Sequence, residues 1–290
     1  MAASLHISIS AEPLFTFGGI EFSNSMFTSL IVSGLIILFA ILVRISLTNT
    51  TKPTGLQNFA EWLIESLHNL VHGVTGDLKK TRAFFPFIAT FFIFILMNNY
   101  FGLLPGVGTI TYTKPHETET NAHALGDITF IDELTPSVHA AETISADAVT
   151  DNHAKEGEVA VPVFRPGTAD LNTTLALALF SVLVTQVLGV QFQQLGYFKK
   201  FINFSSPIMF FVGILELISE FAKIISFAFR LFGNIFAGEV LLTVMLFLLP
   251  LVAPMPFYGL ELFVGFIQSL VFAMLSLVFF NMATVGHEDH

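Results

Sequence analysis

Ionisable side chains recur on one line of a long apolar segment near the end of the chain. Glu216, Lys223 and Arg230 are spaced by seven residues, and positions seven apart on an α-helix lie within about 20° of each other. Ser226 and Asn234 lie close to the same line. An arginine at the centre of a membrane helix costs about 2.5–3.5 kcal/mol, and no acidic residue lies within four positions of Arg230. The spacing therefore predicts that Arg230 is a counter-ion to an acidic group on another helix or another chain.

Part of this line has a simpler interpretation. Lys223 could pair with Glu220, three residues earlier on the same helix. Gly233 and Ala237, beside Arg230, would let another helix come close, although ordinary packing within the chain would use small residues there too. Neither interpretation supplies a partner for Arg230.

A second set of polar residues is predicted on the other side of the same segment. Glu239 is nine residues after Arg230, so it projects from about the opposite side of the helix and should face the following helix. Glu261 and Gln268 lie there, seven apart. The turn between the two helices should bring Gln268 roughly level with Glu239 or a little nearer Arg230. Two facing carboxyls in a low dielectric do not both ionise easily, so at least one should have a raised pKa, which suits proton transfer near neutral pH. The alternative is a structural pair that shares one proton.

The elements that position these residues are membrane helices. The chain is 53% hydrophobic and 12% charged, whereas soluble domains average about 25% charged residues. Apolar runs predict spans at 26–47, 83–104, 171–196, 207–249 and 257–285. The segment 54–73 has the period of an amphipathic helix and carries Trp62, which predicts a helix at the membrane surface.

The fourth span is too long to stand upright in a membrane. A helix over 207–249 would be about 65 Å long, whereas the hydrocarbon core is about 30 Å thick. It must therefore be tilted, broken or partly outside. We predict an all-α integral membrane protein with about five membrane helices and one interfacial amphipathic helix, the last two membrane helices being long, strongly tilted and paired in a hairpin.

Charge distribution predicts the orientation of the chain. Basic residues cluster between the first two spans and after the third, and the positive-inside rule puts these loops in the cytoplasm. The predicted regions are an outer N-terminal segment (1–25), the first span, interfacial helix and second span (26–105), an acidic outer loop that contains histidines (106–168), and the third span with the hairpin (169–290). The C-terminus is then cytoplasmic. A bacterial inner membrane is the expected location.

The sequence around Arg230 resembles subunit a of the F-type ATP synthase. The similar stretches are FRLFGNIFAGE around Arg230, ADLNTTLALAL at the third span and ILMNNYFGLLP at the end of the second, together with Glu216 fourteen residues before the arginine and Gln268 in the last helix. The resemblance covers most of the chain except the first twenty residues and 106–168.

This resemblance implies a stator subunit of a rotary motor, in contact with a ring of c subunits, a b-subunit peripheral stalk and the lipid bilayer. It implies that Arg230 faces the ring carboxylates and separates two offset half-channels for protons. The cytoplasmic half-channel would use Glu216 and Ser226. The outer half-channel would use Asp170, Asn172, Glu239, Glu261 and Gln268, and Asn234 is a further expected proton-path residue. The transported ion is expected to be H⁺. Na⁺ is the alternative, because the choice between the two ions depends mainly on the ring subunit.

Two features depart from the family pattern. Many bacterial relatives carry histidine where Glu261 stands, so the outer channel would titrate differently. The acidic loop 106–168 is long. It would either concentrate cations at the entrance or act as a solvated spacer.

Several other classes of function are disfavoured. The acidic net charge of −10 argues against nucleic acid as a partner. No nucleotide-binding or hydrolase motif is present, so the chain is expected to be non-catalytic on its own and to need no cofactor. His68 and His72 have metal-ligand spacing, but one such pair on an interfacial helix predicts a surface face, and no metal site is predicted. A self-contained secondary ion transporter remains the alternative, although paired interrupted helices in two halves are not evident.

Overall fold

The structure is a computed structural model, and it describes residues 11–17, 20–47, 55–104, 107, 110–115, 158–194, 196–197, 201, 207–248 and 254–285. The described residues form six α-helices: α1 (Asn24–Ser46), α2 (Gly55–Thr75), α3 (Leu78–Gly102), α4 (Leu171–Gln193), α5 (Pro207–Leu248) and α6 (Pro254–Ala283). All but α2 are long and apolar enough to cross a membrane. The predicted all-α membrane fold is thus confirmed, and α2 is the amphipathic helix.

Short polar side chains cap the first turns of α1, α3 and α4. The Ser23 hydroxyl accepts a hydrogen bond from the backbone N–H of Met26 at 3.3 Å and starts α1. Asp77 accepts from the N–H of Lys79 at 3.0 Å and starts α3. Each cap satisfies a backbone donor that the first turn of a helix leaves without an intrahelical partner.

Aromatic side chains pack the helices together. Phe84 is fully buried in α3, and its ring lies 5.8 Å from that of Phe280 in α6. Phe227 of α5 contacts Phe272 of α6 at 5.2 Å between centroids. Rings at these separations gain about 0.5–1.5 kcal/mol beyond their buried area. The large phenylalanine content of the chain therefore supplies its core.

Hydroxyl and amide groups add specific links between the helices. Ser181 of α4 and Ser276 of α6 share a buried hydrogen bond of 2.7 Å. Asn99 of α3 donates to the carbonyl of Gly265 in α6 at 3.1 Å. In a membrane, such bonds contribute about 0.6 kcal/mol on average.

Helix α5 is 42 residues long, or about 63 Å at 1.5 Å per residue. It packs against α4 and α6 and forms the predicted hairpin with α6. Because the hydrocarbon core is about 30 Å thick, α5 can stay within a membrane only if it is strongly tilted.

Small β-structures accompany the helices and were not predicted from the sequence. Strand β1 (Pro13–Phe17) pairs with β2 (Ile20–Ser23) in an antiparallel hairpin just before α1. Strands β3 (Thr111–Pro115) and β4 (Glu158–Pro162) pair in a second two-stranded sheet. The chain divides into two compact units, one of residues 1–110 and 162–290 and one of Thr111–Val161. Most of the acidic loop predicted at 106–168 lies outside the described residues.

Candidate functional site

Arg230 lies on a face of α5 that the rest of the chain leaves uncovered. Its side chain is exposed, and in the part of the chain that the structure describes it forms no hydrogen bond or ion pair. A β-carbon added at Gly233 would meet no atom within 4 Å, and Ala237 is exposed. The opposite face of α5 is buried through Ala228 and Leu231. Packing within the chain therefore does not explain the small residues beside the guanidinium.

Asn234 and Gln268 join the two arms of the hairpin close to Arg230. The amide Nδ2 of Asn234 donates to Oε1 of Gln268 at 2.6 Å. Gln268 is 4% exposed, and its Nε2 has no hydrogen-bond acceptor among the described residues. This bond places Gln268 level with Asn234, about one helical turn beyond Arg230, and thus nearer to Arg230 than to Glu239.

Glu239 forms an ion pair with a residue that the sequence did not single out. Nε of Arg165 lies 3.3 Å from Oε2 of Glu239, with the two side chains 5% and 33% exposed. The guanidinium carbon of Arg165 also lies 5.9 Å from the ring centroid of Phe236. Glu239 was expected to face a carboxyl on α6, but its carboxylate instead meets the segment before α4. The expectation considered only the two arms of the hairpin, whereas α4 and its preceding connector pack against α5 as well.

Glu261 occupies a gap that a glycine leaves in α5. Its carboxyl group lies so close to Gly238 that an added β-carbon there would overlap it. Glu261 is 7% exposed, and no ion pair or hydrogen bond to it exists within the described ranges. Gly238, next to Glu239, thus contacts the Glu261 carboxyl, whereas Glu239 itself pairs with Arg165.

Asp170 and Asn172 lie at the start of α4. Oδ1 of Asp170 accepts from the backbone N–H of Asn172 at 3.0 Å, and Oδ2 accepts from the Ser25 hydroxyl at 2.6 Å. Both carboxyl oxygens of this buried side chain are therefore engaged. Asp170 caps α4 and fastens it to α1, whereas the Asn172 side chain is exposed.

A second polar group lies nearer the start of α5. Nζ of Lys223 is 2.7 Å from Oε1 of Glu220 and 4.9 Å from the ring centroid of Phe279. The Glu220–Lys223 pair confirms the local partner considered for this lysine. Glu216 is partly exposed in the same region, and Ser226 is exposed, one turn before Arg230.

Tyr197 belongs to this second group and was missed by sequence reasoning. Burial, together with the negative charges of Glu220 and Glu216, raises the pKa of Tyr197 to about 12. Its hydroxyl donates to Oε1 of Gln186 at 2.7 Å. A β-carbon on Gly189 would overlap the tyrosine ring. That glycine was the available sequence signal, because a glycine within a helix often marks a close approach of another group.

The polar residues thus form two groups along α5 with Arg230 between them. Residues 216–223 lie on one side, and residues 234–239 with their partners on the other. Arg230 is separated from Glu216 by fourteen residues and from Glu239 by nine, or about 21 and 14 Å along the axis. Among the described residues, no cluster of three or more His, Asp or Glu could hold a metal ion. The arrangement offers carboxyl groups on both sides of a permanent cation, which is suited to moving protons.

Comparisons with known proteins show which proteins this chain is similar to. A family model described as ATP synthase A chain matches residues 26–281. The ATP synthase subunit a of Gloeobacter violaceus is 30% identical to this chain over 258 residues, which cover 88% of this chain and 83% of that protein.

Proposed function

Because this chain belongs to the ATP synthase A chain family, we propose that it is the stator subunit that passes protons to and from the carboxylates of a rotating c-subunit ring. The family and the five membrane-spanning helices make it a multi-pass integral membrane subunit of an F-type ATP synthase. The two half-channels, the contact with the ring, the peripheral b-subunit stalk and the bacterial plasma membrane are parts of the proposal.

The uncovered guanidinium of Arg230 carries this proposal. A cation on an apolar membrane face is costly without a partner, and none of the described side chains supplies one. Gly233 and Ala237 leave room for a close neighbour on the same face. A carboxylate on a second subunit satisfies both features.

The mechanism follows from the permanent charge of arginine. Protons from the outer side pass along Glu239, Glu261, Gln268 and Asn234 to a ring carboxylate, with Asp170 and Asn172 at the start of α4 near that path. The neutral carboxylic acid can then turn into lipid. After rotation it releases the proton toward Ser226 and Glu216. Arg230 stabilises the deprotonated carboxylate between the two paths and cannot itself lose a proton, so protons cannot cross without rotation.

The decisive experiment compares inverted vesicles that contain the whole enzyme with wild-type chain, Arg230→Ala or Arg44→Ala. Arg44 is an exposed arginine in the last turn of α1 and serves as the matched control. Arg230→Ala is expected to abolish ATP-driven proton pumping and to raise passive proton leak, since no cation then separates the two paths. Arg44→Ala should pump normally. Unchanged pumping and leak in Arg230→Ala would make Arg230 a structural counter-ion and defeat the proposal.

Purification separates this proposal from the transporter alternative. If the chain is a stator subunit, the c ring should co-purify with it, and the isolated chain should move no protons in vesicles. Proton flux by the isolated chain, coupled to a second solute, would favour a secondary transporter instead.

A further inference from the structure

Arg165 is placed where it can control the charge of Glu239. It lies in the connector 163–170 that precedes α4, and the proposed path does not use it. Nevertheless its side chain is 5% exposed and its Nε contacts Oε2 of Glu239 at 3.3 Å. A buried arginine keeps its charge at every physiological pH. Glu239 therefore faces a permanent cation in a poorly hydrated place.

The connector that carries Arg165 is held firmly by the helices around it. The backbone N–H of Arg165 donates to the Thr28 hydroxyl of α1 at 3.2 Å. Thr168 donates to Oδ1 of Asn99 in α3 at 2.6 Å. Asp170 is bonded to Ser25 of α1 at 2.6 Å. The connector that carries Arg165 is thus anchored to α1 and α3, and its guanidinium reaches Glu239 and Phe236 of α5.

Among the described residues, few other charged side chains lie near Glu239. The carboxyl of Glu261 on α6 lies against the neighbouring Gly238. Helix α4 has no charged residue, and both oxygens of Asp170 at its start are hydrogen bonded. Along α5, the nearest charge is Arg230, nine residues away. Arg165 is therefore the cation that balances Glu239 within the described part of the chain.

We infer that Arg165 is a positioning residue that keeps Glu239 ionised between proton transfers and resets it after each one. A proton from the outer side binds the Glu239 carboxylate, and the neutral acid no longer attracts the guanidinium. The side chain is then released and gives its proton to the next acceptor on the way to the ring. The resulting carboxylate returns to Arg165. This inference rests on the proposed function and assigns to it a residue outside the hairpin.

The test measures ATP synthesis in proteoliposomes of the whole enzyme, at a fixed membrane potential and fixed inner pH, while the pH on the outer face of the chain is varied. In Arg165→Gln and Arg165→Met the carboxylate loses its cation and retains protons up to a higher pH. The pH midpoint should rise by about one unit, and the maximal rate should fall. Arg165→Lys keeps the charge and should restore most of the wild-type midpoint. Arg44→Gln is the control for loss of a cation elsewhere.

Glu239→Gln isolates the interaction, because the effect of Arg165→Gln on the midpoint should disappear in that background. A merely structural Arg165 would lower the amount of assembled enzyme, but it would leave the midpoint of the assembled fraction unchanged. That result, or a shift that persists with Glu239→Gln, overturns the inference.

Assembly itself serves as a second readout if neither neutral variant assembles. If the double variant Arg165→Met, Glu239→Gln assembles although Arg165→Met alone does not, the pairing is supported. If the enzyme fails to assemble with either residue at position 239, the pairing is overturned. Arg230→Ala is measured in parallel. If ATP synthesis continues in Arg230→Ala, the proposed function is wrong. If Arg230→Ala abolishes synthesis but the Arg165 variants keep the wild-type pH midpoint, only this inference is wrong.

Discussion

At the scale of single residues, Gly238 shows how a missing side chain can position a carboxyl group. The Glu261 carboxyl lies in the space that a β-carbon at 238 would fill, so the short distance between α5 and α6 depends on glycine. We expect Gly238→Ala to displace Glu261. Overpacking of this kind costs about 1–3 kcal/mol, and ATP-driven pumping should fall by about tenfold.

A control and a compensating change make that prediction specific. Gly259→Ala, at an open position in α6, should pump normally. Glu261→Asp shortens the displaced side chain by one methylene and should restore part of the pumping lost in Gly238→Ala. If Gly238→Ala pumps like wild type in assembled enzyme, the contact does not position Glu261.

The same scale shows what sequence patterns could and could not reveal. The line through Glu216, Lys223 and Arg230 follows from helical periodicity, which is a local property. Arg165 lies 74 residues from Glu239, with which it pairs, and Tyr197 lies 23 and 19 residues from Glu220 and Glu216, which raise its pKa. Such pairings depend on how separate elements pack, and a single sequence does not encode them as a spacing.

At the scale of elements, α5 has two faces with different roles. One face buries Phe227, Ala228 and Leu231 against the rest of the chain. The other presents Arg230, with small residues beside it. Hydrophobic run length predicted the bounds of α5 and α6 to within a few residues, because a membrane helix must satisfy its backbone internally. The strands β1 and β2 escaped prediction because short hairpins outside the membrane carry a much weaker pattern.

The small-residue face makes a prediction about assembly. Ala237→Phe adds a bulky ring on the side of Arg230, where the proposed c ring comes close, and should reduce the amount of ring that co-purifies by at least about tenfold. Ala40→Phe, on the exposed surface of α1, is the matched control and should leave the yield unchanged. Equal ring yields from both variants would place the ring on another surface.

At the scale of the whole molecule, the polar links define two ends of the helix bundle. At one end, Gln193 of α4 donates to the carbonyls of Ala283 and Val285 beyond α6 at 2.9 and 2.7 Å. Asn281 donates to the carbonyl of Val74 in α2 at 3.5 Å. The first turns of α3 add the basic residues Lys79, Lys80 and Arg82 at this end. At the other end, Asp170 joins the starts of α4 and α1.

This division predicts which positions face the cytoplasm. The positive-inside rule assigns the basic end to that side. The chain contains no cysteine, so single cysteines can report the topology without background. A membrane-impermeant maleimide should label Glu21→Cys, in β2, from outside intact cells. Gly73→Cys and Val285→Cys should be labelled only in inverted vesicles, because both lie at the basic end. If Gly73→Cys and Val285→Cys were labelled from opposite sides, the bundle ends would be wrongly assigned. If all three patterns were reversed, the proposed proton path would run in the opposite direction, with Glu239 and Arg165 on the cytoplasmic side of Arg230.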